Sequence, residues 1–378
     1  MLLFFSRKLR ANQIVFLFGV KLIVLSLPNS SYSPIYSYLK EESRTKTCRW
    51  GGEDYLSPER TLAFKGFFTI LVMCSHFKTY VVLPNTWLNQ LFAIVNENIG
   101  QLMVAIFFFY SGFGIFSSIT LKPRYIDTFI RKRFLTVWTS FAISILIYIA
   151  YDLYVGSLST YSIRTILLSF TGWTSVGNSN WFMFDSFVVY ILLVMIWKAP
   201  IPDNARLFAF SVCCFFLVII LYFTKRSDWW WDTLMCFPTG MMYAKYKENI
   251  DKLRETYSAF LSLVVSSLCF VVSRWASINI HPVFSIASSI LFSFWIVNIS
   301  VMVYCKGIIL SWIGKHVFSI YILQRLWYTI FQKRIVNPYM YFITSVFFTV
   351  LSAAVFDNCM STFIFPLIIN TKPSSRIA

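Results

Sequence analysis

Residues 64–77 read FKGFFTILVMCSHF. They lie in an apolar segment over about 62–84, long enough to cross a bilayer, yet the run carries Lys65 and His76. Ionisable side chains in hydrocarbon are costly, and by default they point to a functional site. Eleven residues make close to three helical turns, so the two side chains share one face, about 16 Å apart along the axis. They cannot touch. They mark a polar stripe running from one membrane face to beyond the midplane. Taken singly, Lys65 reads as a helix-end cation reaching lipid phosphates, and His76 as an interhelical hydrogen-bonding group. On one stripe they call for a common explanation.

The rest of the chain puts that helix in a membrane bundle. Of 378 residues, 57% are hydrophobic and only 13% charged, more apolar surface than a soluble domain can bury. Further apolar segments follow at about 98–121, 134–155, 181–198, 206–224, 230–245, 257–277, 283–304, 312–332 and 339–366. The fold class expected is all-α, a polytopic membrane protein with about ten transmembrane helices in one bundle. The short alternating segments of a transmembrane barrel are not seen. The segment at 230–245 contains CFPTG, so its proline either breaks it or lies in a helix packed deep inside.

The net charge of +17 follows from loop composition rather than from nucleic-acid binding, for which no motif is found. Lys40, Arg44, Lys46, Arg49 and Arg60 precede the first span, whereas 85–97 has no Lys or Arg. Lys122, Arg124, Arg131, Lys132 and Arg133 fill the next loop, and 156–180 has only Arg164. This alternation places residues 28–61 and the C-terminus in the cytosol. The run NQIVFLFGVKLIVLSL at 12–27 is read as an interfacial amphipathic segment, with an eleventh span or a signal peptide as the other readings. Residues 1–59 thus form an N-terminal extension and 60–370 the transmembrane domain. The eight cysteines form no CxxC pair and the three histidines are scattered, so neither a disulfide frame nor a metal site is expected.

Five stretches, in order, carry a resemblance. FKGFFTILVMCSHF resembles the opening helix of the acyltransferase 3 family, in which a basic residue, usually arginine, precedes a histidine by eleven positions. MVAIFFFYSGF (103–113) resembles its phenylalanine-rich run ending in Ser-Gly-aromatic. KPRYIDTFIRKRF (122–134) takes the place of its basic inner loop, and NSNWFMF (178–184) of its Trp-Phe pair at a helix start. IGKHVFSIYILQ (313–324) resembles its late element, with Gln324 where a histidine is usual. Lys65 stands in the arginine position, and the Arg-x-x-Arg spacing of the inner loop is not kept.

The resemblance implies an O-acyltransferase that moves an acyl group, most often acetyl, from cytosolic acyl-CoA to a hydroxyl of a surface glycan or its lipid-linked precursor. The acyl-CoA is then a donor substrate, with no permanently bound cofactor. The implied partners are a carbohydrate acceptor and the lipid bilayer, in a bacterial cytoplasmic membrane. The residues allow this chemistry. A histidine suits general base work near neutral pH, and Lys65, Arg131 and Arg133 suit donor phosphates. His76 is the expected catalytic base, with Asp185, about 6 Å beyond Trp181, as its orienting carboxylate. Arg325 is a further intramembrane candidate. Ser111 reads first as a close-packing residue beside Gly112, otherwise as a cavity hydroxyl. No GxSxG, P-loop, GxGxxG or HExxH motif is present. The alternatives are a proton-coupled transporter, for which no inverted repeat is detected, and an inactive relative acting as scaffold or sensor.

Overall fold

The computed structural model describes residues 49–50, 53–305 and 307–369. The expected segment at 12–27 lies outside the described residues. The described chain is all-α apart from a two-residue antiparallel ladder, β1 (Arg49–Trp50) with β2 (Glu53–Asp54). Fourteen helices of the core follow: α1 (Pro58–Phe77), α2 (Trp87–Ile99), α3 (Ala105–Leu121), α4 (Tyr125–Phe129), α5 (Leu135–Val155), α6 (Ile163–Ser169), α7 (Trp181–Lys198), α8 (Asp203–Phe223), α9 (Cys236–Tyr257), α10 (Ala259–Asn279), α11 (Phe284–Met302), α12 (Ile308–Lys315), α13 (Val317–Phe331) and α14 (Pro338–Cys359). A π turn, Ile130–Phe134, joins α4 to α5, and another, Met360–Ile364, follows α14.

Among the described residues, seven helices are long and apolar enough to cross a membrane. The expected spans at 62–84, 230–245 and 312–332 fall on α1, α9 and the α12–α13 pair, which are not among the seven. Each has a physical reason. α1 carries Arg60 and Lys65. α9 continues past its apolar start into the charged stretch KYKENIDKLRETY. The last pair is interrupted at His316. Pro238 does not break α9, because it lies in the first turn, where a missing N–H costs nothing.

Local sequence sets the ends. Pro58 and Pro338 each occupy the first helical turn of their helix, and the Asn337 side chain accepts the amides of Tyr339 and Met340. Gly156, in the left-handed region, closes α5.

Two helix crossings depend on glycine pairs. A Cβ on Gly66 of α1 would strike the Leu310 carbonyl of α12, and one on Gly314 would strike that of Leu62. Likewise a Cβ on Gly112 of α3 would meet the Phe237 carbonyl of α9, and one on Gly240 that of Phe109. Such pairs let backbones approach closely, which drives helix association where lipid competes for apolar contacts. The obstructing atoms are backbone, so relief requires the helices to separate. Gly240→Ala is therefore expected to destabilise the bundle by about 1–3 kcal/mol, read as a lowered unfolding temperature in detergent.

Two apolar cores result. The larger draws on α1, α3, α7, α8, α9 and α11; the second joins α5, α7, α13 and α14 around Phe141, Tyr148, Met183, Tyr321 and Phe356. The seam between them holds the candidate site.

Candidate active site

A cavity of about 300 Å³ occupies that seam. Val104, Phe108, Tyr190 and Phe237 line it from the larger core, and Met183 and Tyr321 from the second. The ionisable side chains of Lys65, Arg133 and Asp357 also line it. Lys65 is half-buried on α1, with its ammonium 5.8 Å from the centre of the Tyr110 ring. It also faces Arg133, which in turn faces the hydroxyls of Tyr125 and Tyr190. Two like charges converging on one cavity repel each other, and an anion between them would relieve that repulsion.

Arg133 reaches the cavity from the π turn Ile130–Phe134. A π turn takes one residue more per turn than an α-helix and recurs at functional sites. Arg131 and Lys132 are on the same turn but do not line the cavity, whereas Arg133 lines it while staying partly open to solvent. Asp357 accepts from Ser319 and pairs with His316 Nδ1 at 2.5 Å. This ties the break between α12 and α13 to the end of α14. The walls also carry hydroxyls, among them Ser111, Thr136, Ser140 and Ser186. Ser111 thus faces the cavity, while its neighbour Gly112 makes the close helix contact.

The cavity reaches Tyr321, and beyond Tyr321 lies His76. Their ring centroids are 6.2 Å apart. His76 Nδ1 is buried without a hydrogen-bond partner. The Gln324 side chain and the charge of Arg325 face the imidazole. The late sequence element therefore comes to the histidine even though a glutamine stands in place of the usual histidine. Arg325 is half-buried, also faces Tyr321, and leaves its Nε unpartnered.

Asp185 is fully buried, and neither of its carboxylate oxygens has a hydrogen-bond partner. The expected hydrogen bond to His76 is not made. Asp185 instead faces Tyr321 and a second buried carboxylate, Asp232. The depth of Asp185 follows from its distance from Trp181, but its partner depends on the rotation of α7 against α13, which spacing does not reveal. Tyr321 and Asp232 were not singled out from sequence. Tyr321 is within the quoted IGKHVFSIYILQ stretch, so its place in a family-like motif was the available signal. Asp232, in the turn before α9, had none.

The family model of an acyltransferase domain (Acyl_transf_3) matches residues 63–357, a range that includes Lys65, the π turn, His76, Asp185 and the Tyr321 element and ends on Asp357. No curated protein and no solved structure matches the chain. With apolar helices of membrane-crossing length around a cavity that joins basic residues to the neighbourhood of a half-buried histidine, the chain belongs to the acyltransferase 3 family and is an integral membrane acyltransferase.

Proposed function

We propose that the protein is an O-acyltransferase that moves an acyl group, acetyl in the simplest case, from cytosolic acyl-CoA to a hydroxyl of a cell-surface glycan or its lipid-linked precursor. One observation carries this reading. One cavity is lined both by Lys65 and Arg133 and by Tyr321, the neighbour of His76. Donor phosphates sit at the basic pair, where Arg133 can grip them in a bidentate manner and Lys65 acts as a point charge. The pantetheine arm then lies along the cavity, past Ser111, Thr136 and Ser140. The thioester arrives near Tyr321.

His76 takes the proton of the acceptor hydroxyl as its oxygen bonds to the thioester carbon. The oxyanion of the tetrahedral intermediate forms close to Arg325, whose fixed positive charge favours it. The carbon–sulfur bond breaks, and the proton passes from His76 to the leaving CoA thiolate. Loop charge puts the basic pair on the cytosolic side, where acyl-CoA is made, and the C-terminus with it. The membrane is then the bacterial cytoplasmic one.

The test is transfer of label from radiolabelled acetyl-CoA to a crude surface-glycan extract by the purified full-length protein in lipid nanodiscs. Lys65→Met is expected to raise the KM for acetyl-CoA about tenfold, the loss of one charge-assisted phosphate contact. Lys65→Arg is expected to leave it unchanged or lower it. Uptake of a solute into proteoliposomes by a wild type that transfers no label overturns the assignment.

A further inference from the structure

Tyr321 separates the cavity from a second polar cluster. Asp185, one turn into α7, and Asp232, in the turn ahead of α9, are each less than 5% exposed and face each other. One oxygen of Asp232 accepts from the Gln101 side chain. Its other oxygen and both oxygens of Asp185 have no partner. The hydroxyls of Tyr321 and Ser179 are buried there against each other, and that of Thr233 is buried without a partner. Arg274 faces Asp232 and offsets one of the two carboxylate charges.

Buried polar side chains are nearly always hydrogen-bonded, so this grouping needs an account. A carboxylate accepts two hydrogen bonds side by side, and a carboxylic acid donates one and accepts others. Two such groups flanked by hydroxyls match a ligand that offers several O–H donors on adjacent carbons and some acceptor capacity of its own. An apolar or anionic ligand has no use for them. The position fits the reaction. Tyr321 faces Asp185 on one side and lies against His76 on the other. A polyol held at the carboxylates would meet Tyr321, the residue that lies against the imidazole.

We infer that Asp232 and Asp185 form the acceptor subsite and bind vicinal hydroxyls of a carbohydrate. The inference rests on the O-acyltransferase reading and adds to it the residues that select the acceptor. Asp232 is then a specificity residue with no part in donor binding: it bonds Gln101, just ahead of α3, whereas Lys65 lies against Tyr110 within α3.

The test uses the full-length protein in nanodiscs, labelled acetyl-CoA and a crude surface-glycan extract, intact or after periodate cleavage of its vicinal diols. Asp232→Asn keeps the shape of the side chain and is expected to raise the half-saturating concentration of intact extract at least tenfold. The KM for acetyl-CoA shifts less than twofold. Thr233→Val, a milder change, is expected to raise the extract requirement about threefold. The periodate-treated extract is expected to fail as an acceptor for the wild type. An unchanged extract requirement in both variants overturns the inference, as does normal labelling of the treated extract. So does a chelator-induced loss of transfer that calcium restores, because the carboxylates would then serve a metal ion. A wild type that releases CoA from acetyl-CoA but labels no extract defeats the inference alone. One that does neither defeats the functional reading beneath it.

Discussion

Replacing His76 with alanine lowers kcat for acyl transfer by about 10²–10⁴-fold, the range in which a positioned general base contributes. The KM for acyl-CoA stays within twofold, because the groups assigned to the donor's phosphates are Lys65, eleven residues from His76 along α1, and Arg133, which faces Lys65. A loss in kcat without a loss of donor binding marks a group that acts in the transition state. His76→Gln is expected to behave like the alanine variant, since an amide can hydrogen-bond but cannot take up the proton. Arg325→Ala in the same assay is expected to cost about 10²-fold in kcat if its charge meets the oxyanion. Single-turnover kinetics with labelled acetyl-CoA checks both. Transfer by His76→Ala within tenfold of wild type would place the base elsewhere.

The parts of this site were legible in the sequence to different degrees. Lys65 and His76 were readable as a pair because helical geometry fixes their common face once 64–77 is taken as a helix. The loop was readable as basic, but that Arg133 rather than Arg131 lines the cavity was not. That choice depends on the π turn, a local change of register that no residue pattern announces. The Tyr321 element was visible as a motif, and the structure adds that it links the cavity to His76. Asp185 was found by depth and misjudged by direction, since depth counts residues along one helix while direction needs the packing of two. Hydropathy was least informative for α1, α9 and α12–α13. α1 and α12 meet through Gly66 and Gly314, and α9 lies against α3 through Gly240 and Gly112. Helices that pack on other helices need less apolar surface than those that face lipid.

The largest stability effect is expected at Arg254. It is 5% exposed, near the end of α9. Its guanidinium donates to Tyr55, Asp251, Tyr243 and Asn298 at 2.7–3.1 Å. Burial raises the Tyr55 hydroxyl above its ordinary pKa, so it stays protonated and donates to Asp251 at 2.7 Å. Lys247 also reaches Asp251, at 2.8 Å. The network therefore fastens the chain just ahead of α1 to α9 and α11. Arg254→Ala removes the central donor and strands several buried acceptors, and breaking such a buried charged network costs about 3–5 kcal/mol. Arg254→Lys is expected to recover little, because one ammonium cannot serve four partners spread around a planar fork. Asp251→Asn, which leaves Arg254 its other partners, is expected to cost less than either. Denaturant unfolding in detergent, followed by tryptophan fluorescence, ranks the three. If Arg254→Ala unfolds like the wild type, the network does not anchor α1. The orientation of Lys65, seven residues beyond Pro58, then comes from the Gly66–Gly314 crossing and from buried Arg60, which donates to the Ser300 and Val303 carbonyls.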